Sequence, residues 1–199
     1  MNWLAALILS LAAFFTACTN EKPAVRQQAT APVKNDSELL KEQLARNPRD
    51  AEGWYHLSDI YERANLYPEE IDALKKVVAI NPENGYAWFK LGTTYDRLGK
   101  YDEAITHFLK AEKYINQQPT LYNNLAVAYG KIGKIDEEIV ALKKAISLRP
   151  RYSTARFNLG IASLKKGNTE EAGKQYRALK DIDEGAAASL KSELDKKGK

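Results

Sequence analysis

The chain has 199 residues, with 30 Lys and Arg against 26 Asp and Glu and a formal charge of +4. At 44% hydrophobic and 28% charged, its composition is globular and excludes a disordered or multi-spanning chain; its small, mixed charge argues against a nucleic-acid partner. A single cysteine excludes an internal disulfide and a cysteine-rich metal site, and two separated histidines, His56 and His107, argue against a histidine metal cluster.

The first element is apolar. Residues 1–17 carry no charged side chain, and residues 3–17 are an apolar stretch shorter than the roughly 20 residues of a membrane span. It ends in Phe15-Thr16-Ala17-Cys18, small residues followed by the cysteine. This segment resembles a bacterial lipoprotein signal. The resemblance implies diacylglycerol attachment at Cys18, cleavage before it and acylation of the new amino terminus. Phe15, where an aliphatic residue is usual, and the absence of Lys or Arg at the start depart from the pattern. Retention as an N-terminal anchor and ordinary secretion are the alternatives.

Residues 19–36, with two prolines and little apolar content, read as a disordered tether behind the lipidated residue. Residues 37–50 follow as a helix ending at Asn47-Pro48. From there the sequence repeats every 34 residues. Trp54, Trp88, Tyr122 and Arg156 keep that spacing, as do Leu57, Leu91, Leu125 and Leu159. So do Asn65, Gly99, Gly133 and Gly167. Four ungapped repeats span 51–84, 85–118, 119–152 and 153–186, and residues 187–199 make a last helix and tail with Ala187, Leu190 and Leu194 on one stripe.

Within each repeat, apolar residues recur at helical spacing in two blocks, such as Trp88/Leu91/Tyr95 and Ile105/Phe108. Gly99 suits the positive φ of the turn between them, and Pro82 and Pro150 stop the second helix. Gly92 and Ala104 allow close helix approach. Glu70 and Glu138 stand where a small residue belongs, so their charged ends are expected to reach solvent with only the stems packed.

The repeat resembles the tetratricopeptide repeat, W-x2-L-G-x2-Y followed by A-x3-F; the second copy reads Trp88, Leu91, Gly92, Tyr95, Ala104 and Phe108. The resemblance implies an all-α, right-handed α-solenoid of helix-turn-helix repeats, with an N-terminal half-repeat and a C-terminal capping helix. It also implies a concave groove lined by positions 2, 5, 6, 9, 12 and 13 of each first helix. Carried onto this chain, the groove candidates are Tyr55, His56 and Asp59, then Tyr86, Phe89, Lys90 and Thr93. Asn123, Asn124 and Val127 follow, then Phe157, Asn158 and Ile161. The cationic clamp by which some relatives grip a terminal carboxylate is not matched, because Tyr55, Asp59, Lys90, Thr120 and Asn124 occupy its places.

No nucleophile–base pair, phosphate loop or metal spacing emerges, so no enzyme activity, cofactor or metal is expected. The expected function is a binding scaffold, lipid-anchored in the bacterial envelope, that holds a peptide or helix of an envelope protein. Thr19 after the cysteine resembles lipoproteins sent to the outer membrane, facing the periplasm. Similar repeat lipoproteins assist assembly of pili, secretins and other envelope complexes. Self-association through the repeat surface or the 186–194 end is the second reading, and recruitment of an envelope enzyme the third.

Overall fold

A computed structural model describes residues 30–197 of the chain. The leader 1–17, the lipidation candidate Cys18 and residues 19–29 of the expected tether lie outside the described residues. Ten helices follow in order: α1 Thr30–Arg46, α2 Ala51–Arg63, α3 Tyr67–Ile80, α4 Gly85–Arg97 and α5 Tyr101–Ile115. They continue as α6 Pro119–Lys131, α7 Ile135–Leu148, α8 Ser153–Lys165, α9 Thr169–Lys180 and α10 Glu184–Lys197. No strand occurs among the described residues, and none of their helices is long and apolar enough to cross a membrane. The fold is an all-α solenoid in which each helix packs on its sequence neighbours.

Helix α1 begins at Thr30, so residues 30–36, expected as tether, are helical. Helix growth from a packed segment adds one bond per residue, and Pro32 lies in the first turn, where a missing N–H removes no helical bond. The packed end of α1 is apolar: Leu44 is 1% exposed and clusters with Leu57, Tyr61 and Ala73, with Leu40 and Trp54 against them. At the opposite end α10 lays Ala187, Leu190 and Leu194 on repeat four, burying Leu190 fully. Its outer side carries Lys191–Asp195 and Lys196–Glu193 ion pairs.

Four bonds of one kind fix the joints between helix pairs. Trp54 Nε1 donates to the Pro48 carbonyl (3.1 Å) and Trp88 Nε1 to the Pro82 carbonyl (2.8 Å). The Tyr122 hydroxyl donates to the Asn116 carbonyl (3.1 Å) and Arg156 Nε to the Pro150 carbonyl (2.7 Å). The fourth residue of a repeat thus satisfies a carbonyl six residues back, in the loop where the preceding helix has ended. Trp, Tyr and Arg differ in bulk but share a side-chain donor, which explains how Arg156 stands at an aromatic position.

The glycines divide into two kinds. Gly99, Gly133 and Gly167 have φ of 73°, 77° and 82°, with open space where a Cβ would be, so backbone conformation selects them. Asn65 takes φ 57° at the same turn of the first repeat. Gly92 is different: a Cβ there would sit 2.5 Å from the ring of the fully buried Phe108. Gly92→Ala is therefore expected to cost about 1–3 kcal/mol by overpacking, read from urea denaturation, with the fold retained.

On the second repeat, His107 of α5 stacks between Trp88 (5.6 Å) and Tyr95 (5.0 Å) of α4, both nearly parallel to it. Burial, reinforced by Lys110 and Lys75, lowers its pKa to about 4 from 6.5. A histidine depressed on folding contributes stability that is complete above its unfolded value and is lost as pH falls from 6.5 toward 4. Thermal melts across that window should show a stability loss in the wild type that His107→Phe lacks.

Candidate functional site

The first helices α2, α4, α6 and α8 present the candidate residues. Contacts between α4 and α6 and between α6 and α8 run in addition to the sequential packing, so these helices form one continuous inner face. Side chains at matching positions of successive repeats therefore become neighbours, although they lie more than thirty residues apart.

The end of this face nearest α1 is ionic. Lys90 of α4, with only 12% of its side chain exposed, pairs with Asp59 and with Glu62 Oε2 (3.0 Å) of α2. Its ammonium also donates to Ser58 Oγ (3.3 Å) and lies over the Tyr55 ring, 5.2 Å from the centroid. Arg97 Nη1 reaches Glu62 Oε1 at 2.8 Å, closing a set of two cations and two carboxylates. Burial works against both charges, yet the ion pairs prevail: Lys90 is held above its ordinary pKa and Glu62 below its own. Burial raises the Tyr55 hydroxyl, with Lys90 opposing. Lys90 is thus an internal tie between repeats rather than an outstretched cation. Its formation depends on residues 31 apart in the chain, Asp59 and Lys90, arriving side by side through the solenoid stack.

Beneath this set lies Glu70 of α3, fully buried, as is Thr94 of α4. Glu70 Oε1 and the Lys90 carbonyl are each 2.9 Å from Thr94 Oγ1, whereas Glu70 Oε2 is buried without a hydrogen-bond partner. Burial raises its pKa against the opposing pull of the Thr94 hydroxyl and Lys90. The expectation that Glu70 and Glu138 reach solvent is wrong. Glu138 is only 6% exposed, and its carboxyl fills the space over Gly130, where a Cβ would lie 2.7 Å from its Cδ. The small-residue position faces the next first helix closely, so a longer side chain there is trapped between repeats. Burial raises Glu138, and Lys165 Nζ, 3.6 Å away, opposes the shift.

Together these contacts form a repeating electrostatic pattern. Glu62 pairs with Arg97 of the next repeat. Burial raises Asp96, opposed first by Lys131 of the next repeat. Glu138, standing over Gly130 in place of a missing acid, pairs with Lys165 of the repeat after it. Glu70 and Glu138 are the residues of this ionic set that sequence reasoning left out of the site, whereas Glu62 and Arg97 occupy positions 12 and 13 of the groove pattern. A signal existed for part of this set: Arg63, Arg97, Lys131 and Lys165 recur every 34 residues.

The far part of the face is lined chiefly by amides and apolar side chains, with Lys131 and Lys165 at its edge. Asn158 Nδ2 donates to Asn123 Oδ1 (3.1 Å), and Asn123 Nδ2 reaches Asn124 Oδ1 (3.5 Å). Asn123 is 7% exposed and belongs to the floor, whereas Asn124, Val127, Asn158 and Ile161 are half-buried. Phe89 packs on Phe108 (5.7 Å between rings), and Phe157 and Ile161 lean on the cluster of Leu164 and Leu190. Thr93 donates to its own helix at the Phe89 carbonyl (3.1 Å), and exposed Tyr86 accepts from Gln118 Nε2 (3.1 Å). His56 is exposed and, with Leu40, Glu52, Tyr55 and Asp59, lines an open concavity of about 420 Å³ at the α1 end.

Sequence comparison now bears on this geometry. Tetratricopeptide repeat profiles match residues 37–85 and 123–187, residues 73–106, and, as a TPR repeat, residues 95–133. The chain belongs to the tetratricopeptide repeat family. Its fold is that of a TPR protein-interaction scaffold. Solved TPR structures superpose on most of its length. A crystal structure of MamA has a TM-score of 0.74 at 24% identity, covering 81% of this chain and 94% of its own. MamA of Desulfovibrio magneticus RS-1, residues 41 to the end, has a TM-score of 0.71 at 18% identity, covering 79% and 89%. YrrB, described as a TPR protein with an unusual peptide-binding site, has a TM-score of 0.72 at 20% identity, covering 83% and 86%. No curated protein matches the sequence significantly.

Removing Lys90 tests whether the ionic end holds two TPR repeats together. Lys90→Met leaves Asp59 and Glu62 without their shared cation and is expected to cost about 1–3 kcal/mol in urea denaturation. In a double-mutant cycle with Glu62→Gln, the two losses should be less than additive.

Proposed function

We propose that this TPR protein is a lipid-anchored scaffold of the bacterial envelope that binds a segment of a partner protein along the inner faces of α4, α6 and α8. The observation carrying the groove assignment is the division of that face: charges at the α1 end are tied to one another, whereas amides and apolar side chains line the remainder. Asn124 Nδ2 and Asn158 Oδ1 are left as one donor and one acceptor beside half-buried Val127 and Ile161. One donor and one acceptor match a peptide unit, and the apolar neighbours match the side chains that flank it. YrrB, which shares the fold, is described as having a peptide-binding site. Anchoring is supported by Cys18 after an apolar stretch, and the outer membrane's periplasmic face by Thr19.

Groove binding is favoured over end-to-end self-association. The apolar stripe of the 186–194 segment is already covered by repeat four, and its outward side is ionic. Such an end limits growth of the stack.

Asn124→Ala combined with Val127→Glu should abolish crosslinking of the partner in cells while leaving the melting temperature within a few degrees of wild type. Unchanged partners in the variant would refute the groove. Because Asp59, Glu62, Lys90 and Arg97 pair with one another, capture of the partner should change by less than about tenfold between low and moderate salt. Fatty-acid labelling should mark the wild type and be lost in Cys18→Ala; equal label on both would refute acylation at that residue.

A further inference from the structure

The ionic set at the joint of repeats one and two is complete without Glu70. Asp59 and Glu62 supply two negative charges, and Lys90 and Arg97 supply two positive ones. An ionised Glu70 directly beneath them would add a fifth, uncompensated charge in a place with no solvent exposure.

The hydrogen-bond inventory points the same way. Thr94 Oγ1 lies 2.9 Å from both Glu70 Oε1 and the Lys90 carbonyl, but a hydroxyl has one proton. A carbonyl can only accept, so both contacts are hydrogen bonds at once only when the hydroxyl proton goes to the Lys90 carbonyl, the back-bond open to a mid-helix threonine. The contact with Glu70 is then a hydrogen bond only if the carboxyl donates it. A carboxylate would instead have to draw the Thr94 proton away from the Lys90 carbonyl, with Oε2 still buried and unpartnered. A neutral acid satisfies Thr94 and leaves an uncharged carbonyl oxygen as the one unmade bond, the lesser cost.

We infer that Glu70 keeps its proton in the folded protein above the pH at which a glutamate ordinarily ionises, and that it exchanges that proton for charge when the ion set above it loses an anion. It is a proton-linked latch between the first two repeats, independent of what occupies the groove. The groups facing it are Tyr55 and Glu62 from α2 and Lys90 and Arg97 from α4. On its own helix, Glu69 and Asp72 are exposed to solvent. Opening of the set by loss of Glu62's charge leaves Lys90 and Arg97 in excess, and the Glu70 carboxyl is the adjacent group able to neutralise them by releasing a proton to solvent.

A group whose pKa is raised on folding contributes stability at low pH and loses it as pH rises through its folded value. Glu70→Gln, the permanent counterpart of the neutral acid, should therefore gain stability relative to wild type as pH increases, with the difference in melting temperature growing from the ordinary glutamate range upward. Difference infrared spectra of the full chain, wild type minus Glu70→Gln at about pH 6, above the ordinary glutamate range, should contain the carbonyl band of a protonated acid. A carboxylate signature in that spectrum overturns the inference. Glu62→Gln should shrink the same acid band at the same pH as Glu70 ionises, and an unchanged band there overturns the link to the ion set. Should Glu70→Gln fail to fold, Thr94→Val replaces it: loss of the hydroxyl acceptor should shift the acid carbonyl band, whereas an identical spectrum counts against the bond.

Discussion

The solenoid depends on a single interaction made four times, the bond from the fourth residue of each repeat back to the carbonyl of the loop before it. Where each helix pair ends, at Pro48, Pro82, Asn116 and Pro150, the loop carbonyl lies beyond the helical ladder and has no helical N–H to accept from. Trp54, Trp88, Tyr122 and Arg156 close that gap from the next repeat. Each bond therefore ties the end of one helix pair to the start of the next. It also holds the side chain that packs there: Lys110 lies 4.4 Å over the Trp88 ring and Lys144 5.7 Å over the Tyr122 ring. Once these joints are fixed, the apolar faces that no repeat can bury alone become one continuous core.

Electrostatics follows from the same stacking. Because each repeat is offset from the last by a fixed step, an acid near the end of one first helix meets a cation near the end of the next. Glu62 and Arg97 realise this directly. In repeat three the acid is missing from that position, and Glu138 reaches over Gly130 from the second helix to meet Lys165. Loss of a side chain at one position and gain of a longer one at another thus leave the charge in the same place. The ionic end of the groove is thereby stiffened and neutralised, and the amide-lined part remains for contact with another molecule. Buried carboxylates are unusual in such a stack, and their raised pKa values are the counterpart of their position between repeats rather than on a surface.

Much of this was legible in the sequence, for stated reasons. The 34-residue period required the helix-turn-helix unit, and the turn positions of Gly99, Gly133 and Gly167 required a positive φ. Gly92 was read correctly as a point of close approach, because its partner Phe108 lies in the same repeat. The groove candidates came from repeat position, and position could state which helix face they occupy. It could not state that Lys90 is bound by Asp59 and Glu62 or that Asn123 is buried beneath Asn158, since those contacts cross between repeats.

The sequence alone determined the periodic features: the helix pairs, their turns, the apolar faces and the apolar stretch ahead of Cys18. Period and local propensity act within one repeat, and every copy carries the same information about itself. Tertiary structure decided the fates of individual charges. Glu70 and Glu138 read as surface acids with buried stems, yet Glu70 is buried against Thr94 of the next first helix and Glu138 over Gly130 of its own repeat, beside Lys165 of the next. Burial, hydrogen-bond partners and proton affinity belong to the space between repeats. That space exists only when the chain is stacked, so the proton affinity of Glu70 is raised by burial there, against the pull of Thr94 and Lys90.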